Sequence, residues 1–227
     1  MDPNCTCEKC ELKSLFFQSV SEEELFNVCN NKKENEHKKG DLIIAEGSVI
    51  KDFIYLKSGL VKLYKTTRDH EQILKFAGPF DFVSILNIFS HNKHQYSVMA
   101  LEDSVTCHVD FAEVRNMVLE NGVFAHGLLQ KMGQVSDSII QESLQIRRHN
   151  LKGRVAIVLL YFANRVYEKD EFELPLSRKE IAEYIGKTTE NVIRALSDFR
   201  KSNIIKIFGK VIEIIDKERL ERLSKFG

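Results

Sequence analysis

A change of hydrophobic period at Phe111 divides this 227-residue chain and constrains its fold more than any other feature. Upstream, from Gly40, short alternating apolar segments are separated by glycine: 42–45, 53–56, 59–64, 72–76, 96–100 and 104–109, with Gly40, Gly47, Gly59 and Gly78 at the turns. Each has strand length and β-branched or aromatic content, and a spacing of roughly 8–12 residues implies a compact antiparallel barrel or jelly roll. Before it, Ser21-Glu-Glu-Glu24 is a capping-box pattern that opens a short helix. Downstream, Phe124, Leu128, Met132, Val135, Ile139 and Ile146 recur at steps of three, four or seven, with Glu142 in one seam position. That is a helical period.

The helical run meets no Pro or Gly between Gly133 and Gly153. Its apolar seam, about 20 residues long, is of heptad type and can bury itself against the β-domain or against a second copy. Gln, Ser, Asp and Arg on its flanks leave one narrow stripe, which favours the second copy and hence a homodimer. A second amphipathic helix follows Gly153 (Val155, Ile157, Val158, Leu160, Tyr161, Val166) and leads to a short strand that Pro175 ends.

Formal net charge is zero, yet it is unevenly distributed. Residues 151–227 hold 16 Lys+Arg against 12 Asp+Glu, whereas residues 1–150 hold 17 against 21. Between Lys187 and Lys210 the balance is six basic residues (Lys187, Arg194, Arg200, Lys201, Lys206, Lys210) against two acidic ones (Glu190, Asp198). A local basic stripe suits phosphates, because counterion release depends on the charges at the contact; the alternative is a solvated helix face.

That stripe falls on a recognisable element. Ser177-Arg-Lys-Glu180 is a second capping box, opening a helix through Ile181, Ala182, Tyr184 and Ile185 that Gly186 stops. Thr188 caps a second helix, from Thr189 to about Ser202, with a buried stripe of Val192, Ala195, Leu196 and Phe199. Two short helices on a tight glycine turn match the helix-turn-helix, whose second helix enters the major groove of DNA. Thr189, Glu190, Ile193, Arg194 and Ser197 face away from the stripe. Arg194 suits guanine O6 and N7, Glu190 suits cytosine N4, and Ile193 suits a thymine methyl. Ser177, Arg178, Thr188 and Lys201 suit phosphates. From Asn203 onward two strands turn at Gly209-Lys210, which completes a winged helix.

These residues resemble the bacterial Crp–Fnr transcription regulators. The likeness rests on Lys39-Gly-Asp-Leu-Ile-Ile-Ala-Glu-Gly, Ile54-Tyr-Leu-Lys-Ser-Gly-Leu-Val-Lys-Leu-Tyr and Ile181-Ala-Glu-Tyr-Ile-Gly-Lys-Thr-Thr-Glu-Asn-Val-Ile-Arg, and spans nearly the whole chain. It implies an α+β fold: an N-terminal β-roll of the cyclic-nucleotide-binding, jelly-roll type (1–120), a long dimerisation helix (121–150) and a C-terminal winged helix-turn-helix (151–227). It also implies a palindromic operator in double-stranded DNA, base contacts from Glu190 and Arg194, and RNA polymerase as a partner. Ile193 stands where the oxygen-sensing branch usually has a small polar residue.

Two signals are candidates for the roll. Binding cAMP would need a Gly-Glu pair and then Arg-Ser; this chain has Gly78-Pro-Phe-Asp-Phe and His94-Gln-Tyr-Ser-Val instead, so no Arg pairs with a cyclic phosphate and cAMP is not expected. Cys5, Cys7 and Cys10 lie within six residues, and Cys107 sits in a segment similar to the one carrying the distant cluster ligand of the Fnr branch. Four such thiolates could hold a [4Fe–4S] cluster, although C-x-C-x2-C is tighter than that branch's motif and could instead suit zinc or an incomplete site. Cys29 could replace one of the three or be a small buried hydrophobe. An organic ligand or protein partner in the roll, with the cysteines incidental, is the alternative. His108 is expected on a strand surface, with a haem-ligand role open.

An enzyme on a cupin-like roll would need a His-x-His plus Glu metal set, and neither that nor a nucleophile elbow or Walker loop is present. No apolar run approaches the roughly 18 residues of a membrane span. The N-terminus lacks a secretory pattern, which makes the cytoplasm the expected location and leaves the thiols reduced.

Overall fold

The computed structural model describes residues 20–21, 32–67 and 70–227. They form two compact units, one holding the described residues up to Thr66 together with Lys75–Ser138, the other Thr67–Leu74 and Ile139–Gly227. The helix expected after Ser21, and Cys5, Cys7, Cys10 and Cys29, lie outside the described residues.

Seven strands precede the first described helix: β1 Lys33–His37, β2 Leu42–Ile44, β3 Asp52–Ser58, β4 Val61–Thr66, β5 Glu71–Ala77, β6 Ser97–Ala100 and β7 Ser104–Asp110. They build two sheets, in the orders β1-β7-β3 and β2-β6-β4-β5. The alternation read from the sequence closes on a core that includes Phe53, Tyr55, Leu56, Val61, Leu63, Val98 and Val109. Burying each such side chain contributes about 1.5–3 kcal/mol. Gly59 turns the chain from β3 to β4 at φ +94°. A Cβ there would fall on Ser104 Oγ and lie 2.6 Å from the Asp103 carbonyl oxygen, so no larger residue fits. β1 had no counterpart in the sequence reading. Its sequence, Lys-Glu-Asn-Glu-His, carries no apolar alternation, and pairing with β7 makes it a strand.

Asp110 caps α1 (Phe111–Glu120) by accepting from the Ala112 N–H at 2.7 Å. Asn121, extended, ends α1, and its side chain accepts from the Phe124 N–H near the start of α2 (Gly122–Arg148). On α2 the seam expected to pair with a second copy is instead buried within the chain: Phe124, Leu128, Val135 and Ile146 are buried, and Met132 and Ile139 half-buried. A periodic stripe specifies that a face is covered without saying by what, and here the chain covers it. A different face carries exposed Leu129 and Ile140, with Leu144 at its edge. At 3.6 residues per turn, Gly133 and Ser136 lie between Leu129 and Ile140 on that face.

In the second unit Asn150 caps α3 (Leu151–Tyr161), which continues through a π-helical turn at Phe162–Val166. Then come β8 Glu171–Glu173, α4 Arg178–Ile185, α5 Thr189–Lys201, β9 Ile205–Phe208, β10 Val211–Ile214 and α6 Lys217–Phe226. The wing pairs Phe208 with Val211 about the expected Gly209-Lys210 turn, and β8 completes the sheet in the order β8-β10-β9. α6, unforeseen from the sequence, is capped by Asp216 and packs on α3 where Gly153 leaves room: a Cβ there would lie 3.0 Å from the Leu223 carbonyl oxygen.

Candidate nucleic-acid interface

Local capping chemistry sets the helix pair. Ser177 Oγ accepts from the Glu180 N–H at 3.1 Å while Glu180 Oε2 accepts from the Ser177 N–H at 2.8 Å, so both halves of the capping box form. Gly186 ends α4 in the left-handed region (φ +64°), where glycine carries no Cβ penalty, and sends its N–H back to Ala182. Thr188 then caps α5, its Oγ1 accepting from the Asn191 N–H at 3.4 Å. Arg154 secures this arrangement from behind, donating to the carbonyl oxygens of Ile185 (2.8 Å), His149 (2.8 Å) and Arg147 (3.1 Å).

Val192, Ala195, Leu196 and Phe199 are all buried, as the periodicity requires. The opposite side of α5 presents Glu190, Ile193 and Arg194 to solvent, with Thr189 and Ser197 half-buried beside them. Thr188 and Lys201 are exposed at its two ends. Ser177 is exposed but its hydroxyl also donates to Glu180 Oε2 at 2.8 Å, and Arg178 is half-buried, where desolvation pulls its guanidinium below the ordinary pKa. Lys206 spends its charge on Glu213 at 3.3 Å, which narrows the basic stripe. Lys152 pairs with Asp198 at 2.9 Å, tying α3 to α5.

Glu190 and Arg194 form no ion pair with each other. The Glu190 backbone N–H and then the Thr188 hydroxyl hold its carboxyl below the usual carboxylate range. Arg194 instead donates from Nη2 to Asn191 Oδ1 at 2.6 Å. The helix thus offers an acceptor and a cationic fork at separate points on one exposed surface, the pair of functions that major-groove edges of cytosine and guanine require. Asn191 and Arg154 were missed from the sequence: Asn191 lies between two residues already singled out, and nothing marks Arg154 as a tie among backbone carbonyls.

Cys107 on β7 is a buried thiol, in register opposite Glu34 of β1 and Tyr55 of β3. Among the described residues no group of three His, Cys, Asp or Glu could hold a metal. His108 is not the surface residue expected: its side chain is 12% exposed, bonded to Thr106 Oγ1 at 2.9 Å and 3.4 Å from Asp52. His94 is buried too, and desolvation pulls its imidazole below the ordinary pKa against the pull of Asp52. No helix among the described residues is long and apolar enough to cross a membrane.

Comparison with known proteins agrees with this anatomy. The Crp-like helix-turn-helix domain family matches residues 153–223, and the cyclic nucleotide-binding domain family matches residues 34–121. Electron transport regulator A of Shewanella oneidensis is 29% identical over 230 residues, covering 96% of this chain and 90% of the relative. The fumarate and nitrate reduction regulatory protein of Yersinia pestis shows the same identity and coverage. The structure of FixK2 from Bradyrhizobium japonicum superposes with a TM-score of 0.74 at 25% identity, over 85% of this chain and 97% of FixK2. Two domain matches that together take in the strands and the helix pair, with relatives aligned along nearly the whole length, place the chain in the Crp–Fnr family of transcription regulators, which are DNA-binding proteins and not enzymes.

Proposed function

We propose that this regulator acts in the cytoplasm as a homodimer that reads a palindromic operator, works with RNA polymerase, and responds to oxygen or redox state. The observation that carries the DNA reading is the outward presentation of Glu190, Ile193 and Arg194 on a helix whose other side is fully buried. Residues 1–120 serve as the sensor, 121–150 as the pairing helix and 151–227 as the DNA-binding domain. Thr189 and Ser197 flank the base contacts, while Ser177, Arg178, Thr188 and Lys201 meet phosphates. Operators of two-fold symmetry need half-sites about one helical turn apart, so a small rotation between paired α2 helices alters affinity steeply.

For the signal, Cys5, Cys7, Cys10 and Cys107 are the ligand set, and the names of the Shewanella and Yersinia relatives, an electron-transport regulator and a fumarate and nitrate reduction regulator, support a redox role. A bound [4Fe–4S] cluster would supply an oxygen-labile group held by cysteine thiolates. Cys107 offers the right donor atom on a central strand, the middle one of its sheet, so a change at its sulfur is felt by both neighbouring strands. Anaerobically purified protein is expected to carry iron and sulfide with a visible absorbance that air bleaches and that Cys107→Ser loses. Absence of iron, with promoter control unchanged by Cys107→Ser in and out of oxygen, would overturn it.

The second reading, an organic ligand or partner in the roll with incidental cysteines, draws on two observations. Cys107 is only 2% exposed, as a core thiol would be. Asn87 Oδ1 and His94 Nδ1 are buried without a hydrogen-bond partner, atoms that a polar ligand would satisfy. Neither reading favours cAMP, because the imidazole at His94, held toward its neutral form, cannot offset a cyclic phosphate as a guanidinium would.

A further inference from the structure

We propose that Asn191 is a positioning residue that sets the base preference of Arg194. The inference rests on the reading of Arg194 as the guanine contact.

Asn191 and Arg194 are three residues apart on α5, so their side chains share a face, and a long helical side chain leans back toward the preceding turn. The result is a charge-assisted hydrogen bond of 2.6 Å from Arg194 Nη2 to Asn191 Oδ1. A guanidinium has no acceptor, so the amide must present its oxygen. One of five N–H groups is used. The remaining N–H groups, on Nε, Nη1 and Nη2, still include the fork that binds guanine O6 and N7.

Asn191 is suited to this because it is neutral. Of the two acids on α5, Glu190 is engaged with Thr188 and its own backbone N–H, and Asp198, which the charge of Arg194 reaches, is paired with Lys152 at 2.9 Å. An acid at position 191 would hold the guanidinium equally well but would set a negative charge against the phosphates. The fold does not need the Asn191 side chain: it lies outside the buried stripe, and only its backbone N–H serves the Thr188 cap. Holding Arg194 before DNA arrives reduces the ordering that binding requires, and it does so only where the held geometry matches the base.

The test measures affinity for the operator and for the same operator with the guanine read by Arg194 replaced. Asn191→Ala is expected to weaken operator binding roughly 3- to 10-fold and to leave the substituted operator unchanged, with no shift in thermal unfolding. Asn191→Asp keeps the acceptor, so it should preserve the ratio between the two duplexes while weakening both. In an Arg194→Ala background Asn191→Ala should have no effect. Equal losses on both duplexes, or a further loss in the Arg194→Ala background, would overturn the inference. If Arg194→Ala itself leaves the ratio intact, the base-reading assignment fails. If Arg194→Ala collapses the ratio and Asn191→Ala does not, only the role of Asn191 fails.

Discussion

The Tyr184 hydroxyl donates to Glu142 Oε2 at 3.2 Å, so the acidic residue interrupting the apolar run of α2 is met by the first helix of the helix-turn-helix. Phe at position 184 would leave that carboxylate without the donor while keeping the ring in place. Tyr184→Phe is expected to lower stability by about 1.5 kcal/mol, the low end for a hydrogen bond to a charged group, because solvent reaches Glu142. Urea denaturation checks it. The loss should shrink when Glu142→Gln is made first, since the two residues act as a pair.

The same tyrosine and Tyr96 predict alkaline sensitivity. Tyr96 is buried and donates to the Val83 carbonyl at 2.9 Å; burial pushes both phenols above the ordinary range, and at Tyr184 the charge of Glu142 adds to the effect. Each folded-state pKa lies above the unfolded value of about 10. The contribution to stability is therefore fully present below about pH 10 and is lost as pH rises beyond it. Urea midpoints should fall above about pH 10, and less steeply in Tyr184→Phe and Tyr96→Phe.

The two apolar faces of α2 should respond in opposite ways to substitution. Leu128 is 2% exposed, and Leu128→Ala is expected to cost about 2–5 kcal/mol of stability. Ile140 is 54% exposed, and Ile140→Glu should leave the fold intact while shifting the sedimentation behaviour from dimer to monomer. A dimer unaffected by Ile140→Glu and Leu129→Glu would move the pairing surface elsewhere.

What could be read from residues alone was local. Ser177 with Glu180, Gly186 and Thr188 announce the ends of α4 and α5, because capping depends on side chains within three residues of the terminus. The strand-period text from Gly40 to Phe111 announced β2 to β7 for the same reason. β1 was hidden because Lys33–His37 is polar and becomes a strand only through β7. The Phe124–Ile146 seam is legible as a covered face, but the chain rather than a second copy covers it, since periodicity names a covered face and not its cover. At the interface, the outward residue types were legible; the link from Arg194 to Asn191 and the separation of Glu190 from Arg194 depend on rotamers that spacing does not specify.

The central claim is that α5 reads bases through Arg194 while its C-terminal end meets phosphates. The direct measurement is the affinity of Arg194→Ala and Lys201→Ala for operator and for random duplex, over a range of salt. Arg194→Ala should cost about 1–3 kcal/mol on the operator and relax preference at one base pair per half-site, whereas Lys201→Ala should weaken every sequence alike and lower the salt slope by about one. Equal losses on operator and random DNA for Arg194→Ala would contradict the account.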